Sequence, residues 1–490
     1  MSGAPARWNF DTPSSPDDAS LEEIHLAVHR GRFAAEHWRS LAIKQRMRYL
    51  RAFRRRLIQE LDSLVSVVQA ETAKPRFDLV GEIFHAANLC RFLERQAPRW
   101  LKPQSRPTGL FVHKRASVVG EPLGLVAAIT PCNYPIVLFL SPALQALAAG
   151  NAIIVKPSEW ASATSSYLRN IFDDAGIPED VIQVVQGGPS TGKHLAGSGV
   201  DKVFFTGGRE GGRIVYQAAA ELLTPVVLEL GGNDAMIVCE DADIERAAHA
   251  AVWGAFFNAG QSCIAVERVY VHRDQADDFT RRVVELTHRV TTGWKHSTDQ
   301  HDFDTGPIAT EVQFVRLVQL IEDAKRRGAR VLAGGKVIDR AKRCFAPTVI
   351  ARVDHTMRIM KEETFGPILP IQSFVDDDEA IDLANDSDLG LAASVWSRSS
   401  RRARRIAELL DVGGVVINDT MVHFGIPSLP FGGRRGSGFG RTQGHEGFNE
   451  FLQTKTVLTH RFGPRLEWQW FPNGTKHRML AVACRWLLGR

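Results

Sequence analysis

Residues 225–233 read Pro-Val-Val-Leu-Glu-Leu-Gly-Gly-Asn, an apolar run that contains one glutamate and ends in a glycine turn. A short apolar run bounded by turn residues is typical of a buried strand. A carboxylate inside such a strand costs free energy unless a site pairs or solvates it. The segment therefore indicates a buried sheet and, at Glu229, a candidate catalytic carboxylate.

Cys263 lies 34 residues after Glu229, in the segment Asn258-Ala-Gly-Gln-Ser-Cys that follows a helical pattern over 248–258. A thiolate is a strong nucleophile, and a nearby carboxylate can activate water. Taken alone, a Cys is more often an inert core residue and a Glu after a strand is more often a surface group. Together they suggest covalent catalysis, in which Cys263 attacks a carbonyl and Glu229 activates the water that cleaves the intermediate.

Strand and helix patterns alternate from Gly124 onward. Apolar runs predict strands over 124–130, 152–156, 181–186, 202–205, 225–230 and 235–239, with helices over 137–149, 160–175, 190–197 and 209–223. This alternation predicts an α/β fold with a parallel sheet covered on both faces, and a dinucleotide site at the carboxyl ends of its strands. From about 243 to 425 the pattern continues, with helices over 274–290, 311–327, 377–385 and 399–410 and strands over 268–271 and 414–418.

The flanking segments carry their own signals. Ser20 and Glu23 have the spacing of a capping box that opens a helix, and a second helix is predicted over 42–73. Residues 1–19 are rich in Pro, Ser and Asp and are expected to be poorly ordered. Alternation over 110–119 predicts an edge strand.

Composition narrows the class of protein. A chain of 490 residues should form more than one domain, and 44% apolar with 23% charged residues is ordinary for a globular protein. A net charge of +5 argues against a dedicated nucleic-acid binder. The six cysteines are scattered without metal-ligand spacing, so neither a disulfide framework nor a zinc site is indicated. The first twenty residues lack the apolar region of a secretory signal, which favours the cytoplasm.

The segments LELGGN and FNAGQSC resemble the glutamate and cysteine signatures of the NAD(P)-dependent aldehyde dehydrogenase superfamily. Further resemblances occur in the family's order at Thr130-Pro-Cys-Asn-Tyr-Pro135, Lys156-Pro-Ser-Glu159, Phe205-Thr-Gly-Gly208, Glu362-Glu-Thr-Phe-Gly-Pro367 and Pro430-Phe-Gly-Gly433. The resemblance covers about residues 20 to 460.

This resemblance implies two Rossmann-like α/β domains plus a protruding β element for oligomerisation. We expect an NAD-binding domain over 1–102 and 122–230 and a catalytic domain over 231–440. The oligomerisation strands would lie within 103–121 and 441–460 and assemble a homodimer or a dimer of dimers.

The resemblance also implies a mechanism. Cys263 would add to the aldehyde, and the oxyanion would be held by the side-chain amide of Asn133 and the backbone N–H of Cys263. Hydride would pass to NAD and leave a thioester, which Glu229 would hydrolyse through water. Metal is not needed for this chemistry.

The expected cofactor contacts follow the family's positions. Lys156 and Glu159 would bind the adenosine ribose, and the charge of Glu159 would repel a 2′-phosphate, which favours NAD over NADP. Gly208 stands where the family commonly has Ser, so one hydroxyl contact to phosphate is lost. The full expected set is Thr130, Pro131, Lys156, Ser158, Glu159, Gly207, Gly208, Gly212, Leu230, Glu363 and Phe365.

The substrate is expected to be a hydrophobic aliphatic or aromatic aldehyde. Residues 134–142 are almost wholly apolar, and the mainly apolar loop 420–429 is expected to line the substrate mouth. Three alternatives stay open. A succinate-semialdehyde dehydrogenase would favour an Arg cluster that is not evident, a CoA-acylating enzyme usually lacks the glutamate present here as Glu229, and an idle scaffold would be expected to lose Cys263 or Asn133.

Residues 461–490 form an aromatic and basic tail beyond the resemblance. Met479, Val482, Trp486 and Leu487 can share one face of a helix that is too short to span a bilayer. Such a helix could contact an anionic membrane surface weakly, or it could pack over the body or a partner subunit and cover the substrate entrance. Both interpretations remain open at the level of sequence.

Overall fold

The computed structural model describes residues 18–294, 303–463 and 465–489. The expectation of poor order over 1–19 therefore falls almost wholly outside the described residues. At its first helix the predicted capping box is confirmed, because the Ser20 side chain accepts from the Glu23 N–H and the Glu23 carboxylate accepts from the Ser20 N–H.

The helices and strands occur in the order expected for an α/β protein. The helices are α1 (Leu21–Ser40), α2 (Ile43–Gln59), α3 (Leu61–Thr72), α4 (Arg76–Trp100), α5 (Val137–Ala149), α6 (Ser162–Asp174), α7 (Pro189–Ala196), α8 (Arg209–Ala220), α9 (Ile244–Phe256), α10 (Ala276–Thr287), α11 (Glu311–Arg326), α12 (Asp377–Asn385), α13 (Ser400–Leu409), α14 (Gly444–Asn449) and α15 (Lys476–Leu487).

The strands are β1 (Gln104–Arg106), β2 (Lys114–Pro122), β3 (Leu125–Ile129), β4 (Ala152–Lys156), β5 (Ile182–Val184), β6 (Lys202–Thr206), β7 (Val226–Glu229), β8 (Asp234–Val238), β9 (Val266–His272), β10 (Arg330–Ala333), β11 (Val337–Asp339), β12 (Cys344–Phe345), β13 (Thr348–Ala351), β14 (Ile368–Phe374), β15 (Leu389–Gly390), β16 (Ala392–Trp396), β17 (Gly414–Ile417), β18 (Arg434–Arg435), β19 (Gly438–Phe439) and β20 (Leu452–His460).

The first large sheet has the order β19-β7-β6-β3-β4-β5. Strands β3 to β7 run parallel, and β19 joins β7 antiparallel at the edge. The chain moves outward from β3 to β5 and then returns to place β6 on the other side of β3. That reversal creates a switch point between β3 and β6, where the carboxyl ends of the strands leave room for a ligand.

The strands of this sheet are apolar because both faces are covered. Leu125, Ala127 and Ile129 of β3 pack with side chains of α1, α7 and α8. The intervening Val126 and Ala128 point to the opposite face and are fully buried as well. The predicted parallel sheet with two covered faces is therefore confirmed.

The second large sheet has the order β10-β13-β14-β9-β8-β16-β17. Its strands are parallel except for β10, which pairs antiparallel with β13. β8 follows β7 after only four residues, so the segment around Glu229 joins the two sheets.

The chain divides into two compact units. The first contains both large sheets and comprises the described residues within 1–100 and 122–453, and the second comprises those within 101–121 and 454–490. The second unit holds most of the sheet β1-β2-β20 and helix α15. The assignment of the regions 1–102 with 122–230, 231–440, and 103–121 with 441–460 to separate roles stays a prediction.

Two predicted elements differ from the structure. The helix expected over 42–73 is two helices, because the backbone at Glu60 leaves α-helical geometry (φ −89°, ψ 11°). The break lets α3 bury Leu64 and Val68 independently of α2. The strand expected over 110–119 begins only at Lys114, since Phe111 N–H donates to Thr108 O and closes a turn.

Candidate active site

Glu229 is the last residue of β7, and the turn that follows it contacts the cysteine segment directly. A Cβ atom added to Gly232 would lie 2.2 Å from the carbonyl oxygen of Cys263. Only glycine permits this approach of the two backbones. The two segments that are distant in sequence are thus held side by side at the ends of β7 and of the turn after α9.

The turn before Cys263 has an unusual backbone. α9 ends at Phe256, earlier than the predicted 258, and Asn258 and Ala259 adopt left-handed conformations (φ 53° and 54°). Gly260 continues with φ +71°, and a Cβ atom there would lie 2.3 Å from the carbonyl carbon of Gly366. This packing ties the cysteine turn to the segment that contains Glu363 and Phe365.

Gln261 and Asn133 stabilise the same turn. The Gln261 side chain donates to Pro307 O at 3.2 Å and accepts from the Ala309 N–H at 2.7 Å. The Asn133 Nδ2 donates to the Gln261 carbonyl oxygen at 3.0 Å, which uses one of its two N–H groups. Asn133 therefore lies beside the cysteine turn, and this hydrogen bond leaves its second N–H group unused.

Sequence reasoning missed the groups that hold Asn133 in place. Its backbone oxygen accepts from Lys74 Nζ at 2.7 Å and from Asn258 Nδ2 at 3.0 Å. Lys74 is buried and also pairs with Glu82 at 2.6 Å. Glu82 in turn accepts from the backbone at the start of α5. A Lys before a Pro has no local pattern that would reveal this role.

Glu229 and Cys263 line one cavity of about 250 Å³. Asn133 itself is not among the lining residues, although its neighbour Tyr134 is. The other lining residues are mainly apolar or aromatic: Val137, Leu138, Pro142, Phe204, Trp253, Phe257, Ile264, Met421, Val422, Phe424 and Phe431, with Asp78, Gly81, Glu82, His85, Ser141, Thr206, Ser262, Gly425 and Thr442.

The opening of this cavity includes the loop 420–429. Met421 and Phe424 are shielded, whereas Val422 and Gly425 are exposed to solvent while also lining the cavity. His85 stacks on Phe424 with ring centroids 4.9 Å apart, and Gln443 Nε2 approaches His85 Nε2 at 3.4 Å. Burial lowers the pKa of His85 to about 4, so this ring is neutral at physiological pH.

Burial at the cavity favours the uncharged forms of the Glu229 carboxyl and the Cys263 thiol in the resting protein. Burial raises the pKa of the Glu229 carboxyl well above its usual range, although Arg441 opposes the shift. Neither oxygen of Glu229 has a hydrogen-bond partner among the described residues. Burial, assisted by the charges of Asp234 and Glu363, likewise raises the pKa of the Cys263 thiol. A thiol of this kind needs a base at the moment of attack. Glu229 can take a proton only in its deprotonated form, and its raised pKa makes that form a stronger base.

Three further acids lie near the site, of which Asp234 and Glu267 are buried and Glu363 is half-buried. Burial raises the pKa values of Asp234, Glu267 and Glu363 above their usual range. Glu267 accepts from the N–H groups of Thr364 and Phe365 at 2.8 and 2.7 Å. It thereby fixes the backbone next to Glu363, a positioning role that its place inside an apolar strand did not reveal.

The carboxyl ends of β3 and β4 bring together several of the expected cofactor residues. Thr130 N–H donates to Lys156 O at 3.0 Å, and Lys156 Nζ lies 3.7 Å from Glu159 Oε2. Ser158 caps the short turn that begins at Glu159, and Pro131 follows Thr130 at the same edge.

Gly207 and Gly208 follow β6, and Gly208 is the N-cap of α8. The first-turn N–H groups of a helix lack acceptors within the helix and favour anions such as pyrophosphate. A Cβ atom at Gly208 would meet nothing within 4 Å, so the space over this turn is open. At Gly212 a Cβ atom would lie 2.6 Å from Leu230 Cδ2, so glycine is needed for α8 to pack on Leu230.

Glu363 and Phe365, which the resemblance to the aldehyde dehydrogenase superfamily assigns to the nicotinamide side of the cofactor, lie on the segment that packs against the turns at Glu229 and Cys263. Glu363 Oε1 accepts from the Gly232 N–H at 3.3 Å, and Phe365 adopts a left-handed backbone (φ 49°) held by Glu267. These positions, the switch point and the open N-terminus of α8 together fit a dinucleotide.

Potential metal ligands come together elsewhere among the described residues, at His113 with His460 and Glu467, and at Glu240 with His272 and Asp274. Neither group lines the cavity. In the first group, the Glu467 carboxylate already accepts a hydrogen bond from Lys114 Nζ at 2.7 Å. The expectation that catalysis needs no metal stays a prediction.

Known proteins resemble this chain over most of its length. A family model described as the aldehyde dehydrogenase family matches residues 10–457. The chain is similar to 4,4′-diapolycopene aldehyde oxidase from Methylomonas sp, with 40% identity over 92% of this chain and 84% of the relative. It is also similar to chloroplastic betaine aldehyde dehydrogenase from Beta vulgaris, with 34% identity over 90% and 89% of the two chains.

Solved structures show the same likeness. The structure of betaine aldehyde dehydrogenase from Staphylococcus aureus in complex with NAD⁺ superposes with a TM-score of 0.86, 31% identity, and coverage of 93% and 90% of the two chains. An NAD-dependent aldehyde dehydrogenase from Sinorhizobium meliloti gives a TM-score of 0.87 and 32% identity over 92% and 89%.

Proposed function

The chain belongs to the aldehyde dehydrogenase family and is an NAD-dependent enzyme of that kind, and we propose that its substrate is a hydrophobic aldehyde. The observation that carries this proposal is the apolar cavity that ends at Cys263 and Glu229. When the hydrocarbon chain of an aldehyde lies against Val137, Leu138 and Trp253, its apolar surface is removed from water, and this burial favours binding.

The proposed roles follow from what each side chain can do where it lies. Cys263 Sγ adds to the aldehyde carbon, and the second Asn133 N–H and the Cys263 backbone N–H stabilise the oxyanion. NAD, when bound, supplies the hydride acceptor. Cys263 then carries the acyl group as a thioester, and Glu229 takes a proton from the water that releases the carboxylic acid. Lys156, Glu159, the turn at Gly207 and Gly208, and Glu363 would hold the cofactor.

Glu159 supports a preference for NAD over NADP. Its carboxylate lies beside Lys156 at the end of β4, where it would repel a 2′-phosphate. Glu159→Gln is therefore expected to raise kcat/KM for NADP relative to NAD by about tenfold. That factor corresponds to about 1.4 kcal/mol, within the range of about 1 to 4 kcal/mol for two like charges about 4 Å apart at a protein surface. Steady-state kinetics with both cofactors measure the ratio. A wild-type enzyme that already turns over NADP faster than NAD would contradict the argument.

One relative supports the hydrophobic substrate, and others support an alternative. The name of the Methylomonas relative denotes the aldehyde of 4,4′-diapolycopene, a polyene hydrocarbon. Betaine and aminoaldehyde relatives suggest a cationic aldehyde instead, which the aromatic walls of the cavity could accommodate. Glu82 also lines the cavity, but its carboxylate is already paired with Lys74, which argues against its binding a cationic substrate.

The two substrate classes differ in their response to chain length. For a hydrophobic pocket, kcat/KM is expected to rise along a series of unbranched aldehydes by up to about fourfold per methylene, equivalent to about 0.8 kcal/mol. Val422→Lys at the cavity opening should lower kcat/KM for decanal about tenfold and leave acetaldehyde little changed, because the ammonium resists burial. Val312→Lys, at an exposed valine outside the cavity, is the matched control.

The set of test substrates contains betaine aldehyde in addition to the unbranched aldehydes, and each substrate is assayed with and without CoA. Faster oxidation of betaine aldehyde than of decanal would contradict the hydrophobic proposal and favour the cationic one. Formation of acyl-CoA would favour the acylating alternative, and succinate semialdehyde is included for the remaining one.

We also propose a homodimer, or a dimer of dimers, built through the sheet β1-β2-β20. β20 is exposed along nearly its whole length, and an open strand edge pairs readily with a second copy.

A cytoplasmic location stays a prediction. Within the described residues, no helix has the length and apolar character needed to cross a membrane.

A further inference from the structure

The positive charge of the protein is concentrated in its tail. The whole chain has a formal net charge of +5, and residues 461–490 contain six Lys or Arg and a single Glu. That acid, Glu467, is buried and pairs with Lys114. The exposed Arg461, Arg465 and Arg478 form no ion pair with any described residue. The tail therefore presents cations that no acidic side chain in the described part of the chain pairs with.

The helix α15 within this tail presents an apolar face to solvent. Met479 and Leu480 lie on one side together with Trp486 and Leu487, which follow them seven residues later, and the four side chains are 47–69% exposed. Arg478 and Arg485 lie on the opposite side. No residue of α15 is buried, so none of the described residues covers this face.

The segment before α15 adds exposed aromatic side chains. Trp468, Trp470 and Phe471 are 45%, 54% and 87% exposed. The buried Glu467 anchors them, because its carboxylate contacts Lys114 of β2, the preceding His113, and His460 of β20, all in the same unit. A tryptophan has an apolar ring and a polar N–H group, which suits the boundary between water and lipid.

We propose that residues 461–489 bind the surface of a bilayer that contains anionic phospholipids. α15 has 12 residues, whereas a spanning helix needs about 20, so it would lie in the plane of the headgroups. Its apolar face would enter the acyl boundary, and the arginines would contact the phosphates. This inference goes beyond the proposed function, and it would place the enzyme where apolar aldehydes concentrate.

A second copy of the chain fits this surface less well. A two-fold interface brings the same patch of both subunits together. Two tails of high positive charge would repel each other, and the centre of a protein interface is normally depleted of charge. Anionic lipid, by contrast, complements both the charge and the apolar face.

The test uses the full-length protein and co-sedimentation with vesicles of phosphatidylcholine alone or of equal parts phosphatidylcholine and phosphatidylglycerol. Binding is expected only to the anionic vesicles at low salt and should weaken as salt is raised. Leu480→Ser with Leu487→Ser should lower the partition coefficient at least about tenfold. Arg478→Gln with Arg485→Gln should lower it roughly twentyfold and flatten its salt dependence.

The matched control is Leu222→Ser with Leu223→Ser, which removes two exposed leucines outside the tail. It should bind vesicles as the wild type does, and all variants should oxidise acetaldehyde normally. Lack of wild-type binding to anionic vesicles at low salt would overturn the proposal. Equal losses of vesicle binding in the tail variants and the control variant would also overturn it. A third contrary result would be tail variants that still bind vesicles but whose sedimentation mass falls to the 54.3 kDa of one chain.

Discussion

Replacement of Cys263 by Ala is expected to reduce aldehyde dehydrogenase activity by about 10⁴-fold or more, the scale seen when a covalent nucleophile is removed. The reason is geometric, because Cys263 is the thiol that shares the cavity with Glu229 and lies beside the Asn133 amide network. Without it the aldehyde can bind but has no sulfur to which it can be attached. Steady-state NADH formation at saturating aldehyde measures the loss.

Cys484→Ala is the control for Cys263→Ala. Cys484 is an exposed free cysteine in α15, far along the chain from the cavity residues, and its removal should leave activity unchanged. The thermal unfolding midpoint of both variants should match the wild type. Retention of more than about a tenth of wild-type activity by Cys263→Ala would mean that the covalent mechanism is wrong.

Replacement of Glu229 by Gln is expected to separate the two halves of the reaction. Hydride transfer precedes hydrolysis of the thioester, so the variant should release a burst of about one NADH per active site and then turn over about 10²–10⁴-fold more slowly. Rapid-mixing absorbance measures the burst, and isolation of the acylated protein by mass spectrometry identifies the thioester. Glu245→Gln, a surface carboxylate paired with Arg282, is the matched control.

The pH dependence gives a second readout of Glu229. Burial raises the pKa of this carboxyl, and a general base acts only when it is deprotonated. Wild-type turnover should therefore rise with pH through the raised pKa, and the slow phase of Glu229→Gln should lose that rise. Absence of a burst would indicate that Glu229 also activates Cys263 or that its assignment is wrong.

Loss of stability should not complicate the Glu229→Gln experiment. A carboxyl whose pKa is raised on folding opposes folding increasingly as pH rises from its unfolded to its folded pKa. The amide carries no charge to desolvate, so the variant should unfold at no lower temperature than the wild type at pH 8.

Much of the α/β architecture could be predicted from the sequence because its signals are local. The apolar runs predict the bounds of β3, β4, β6 and β7 to within about two residues, since a strand covered on both faces must be apolar at every position. The left-handed Asn258 and Ala259 were not found, because neither residue type requires that conformation.

The sequence by itself determined the identity of the chemical groups, namely a thiol, a carboxylate and an amide in recognisable segments. Only the tertiary structure decided their environment: Gly232 packed on Cys263, Asn133 held by Lys74, and an apolar cavity around Glu229. It also decided that the apolar face of α15 is exposed. The physical reason is that burial, contact and pKa arise from residues far apart in the chain, and a linear pattern records periodicity but not what each face meets.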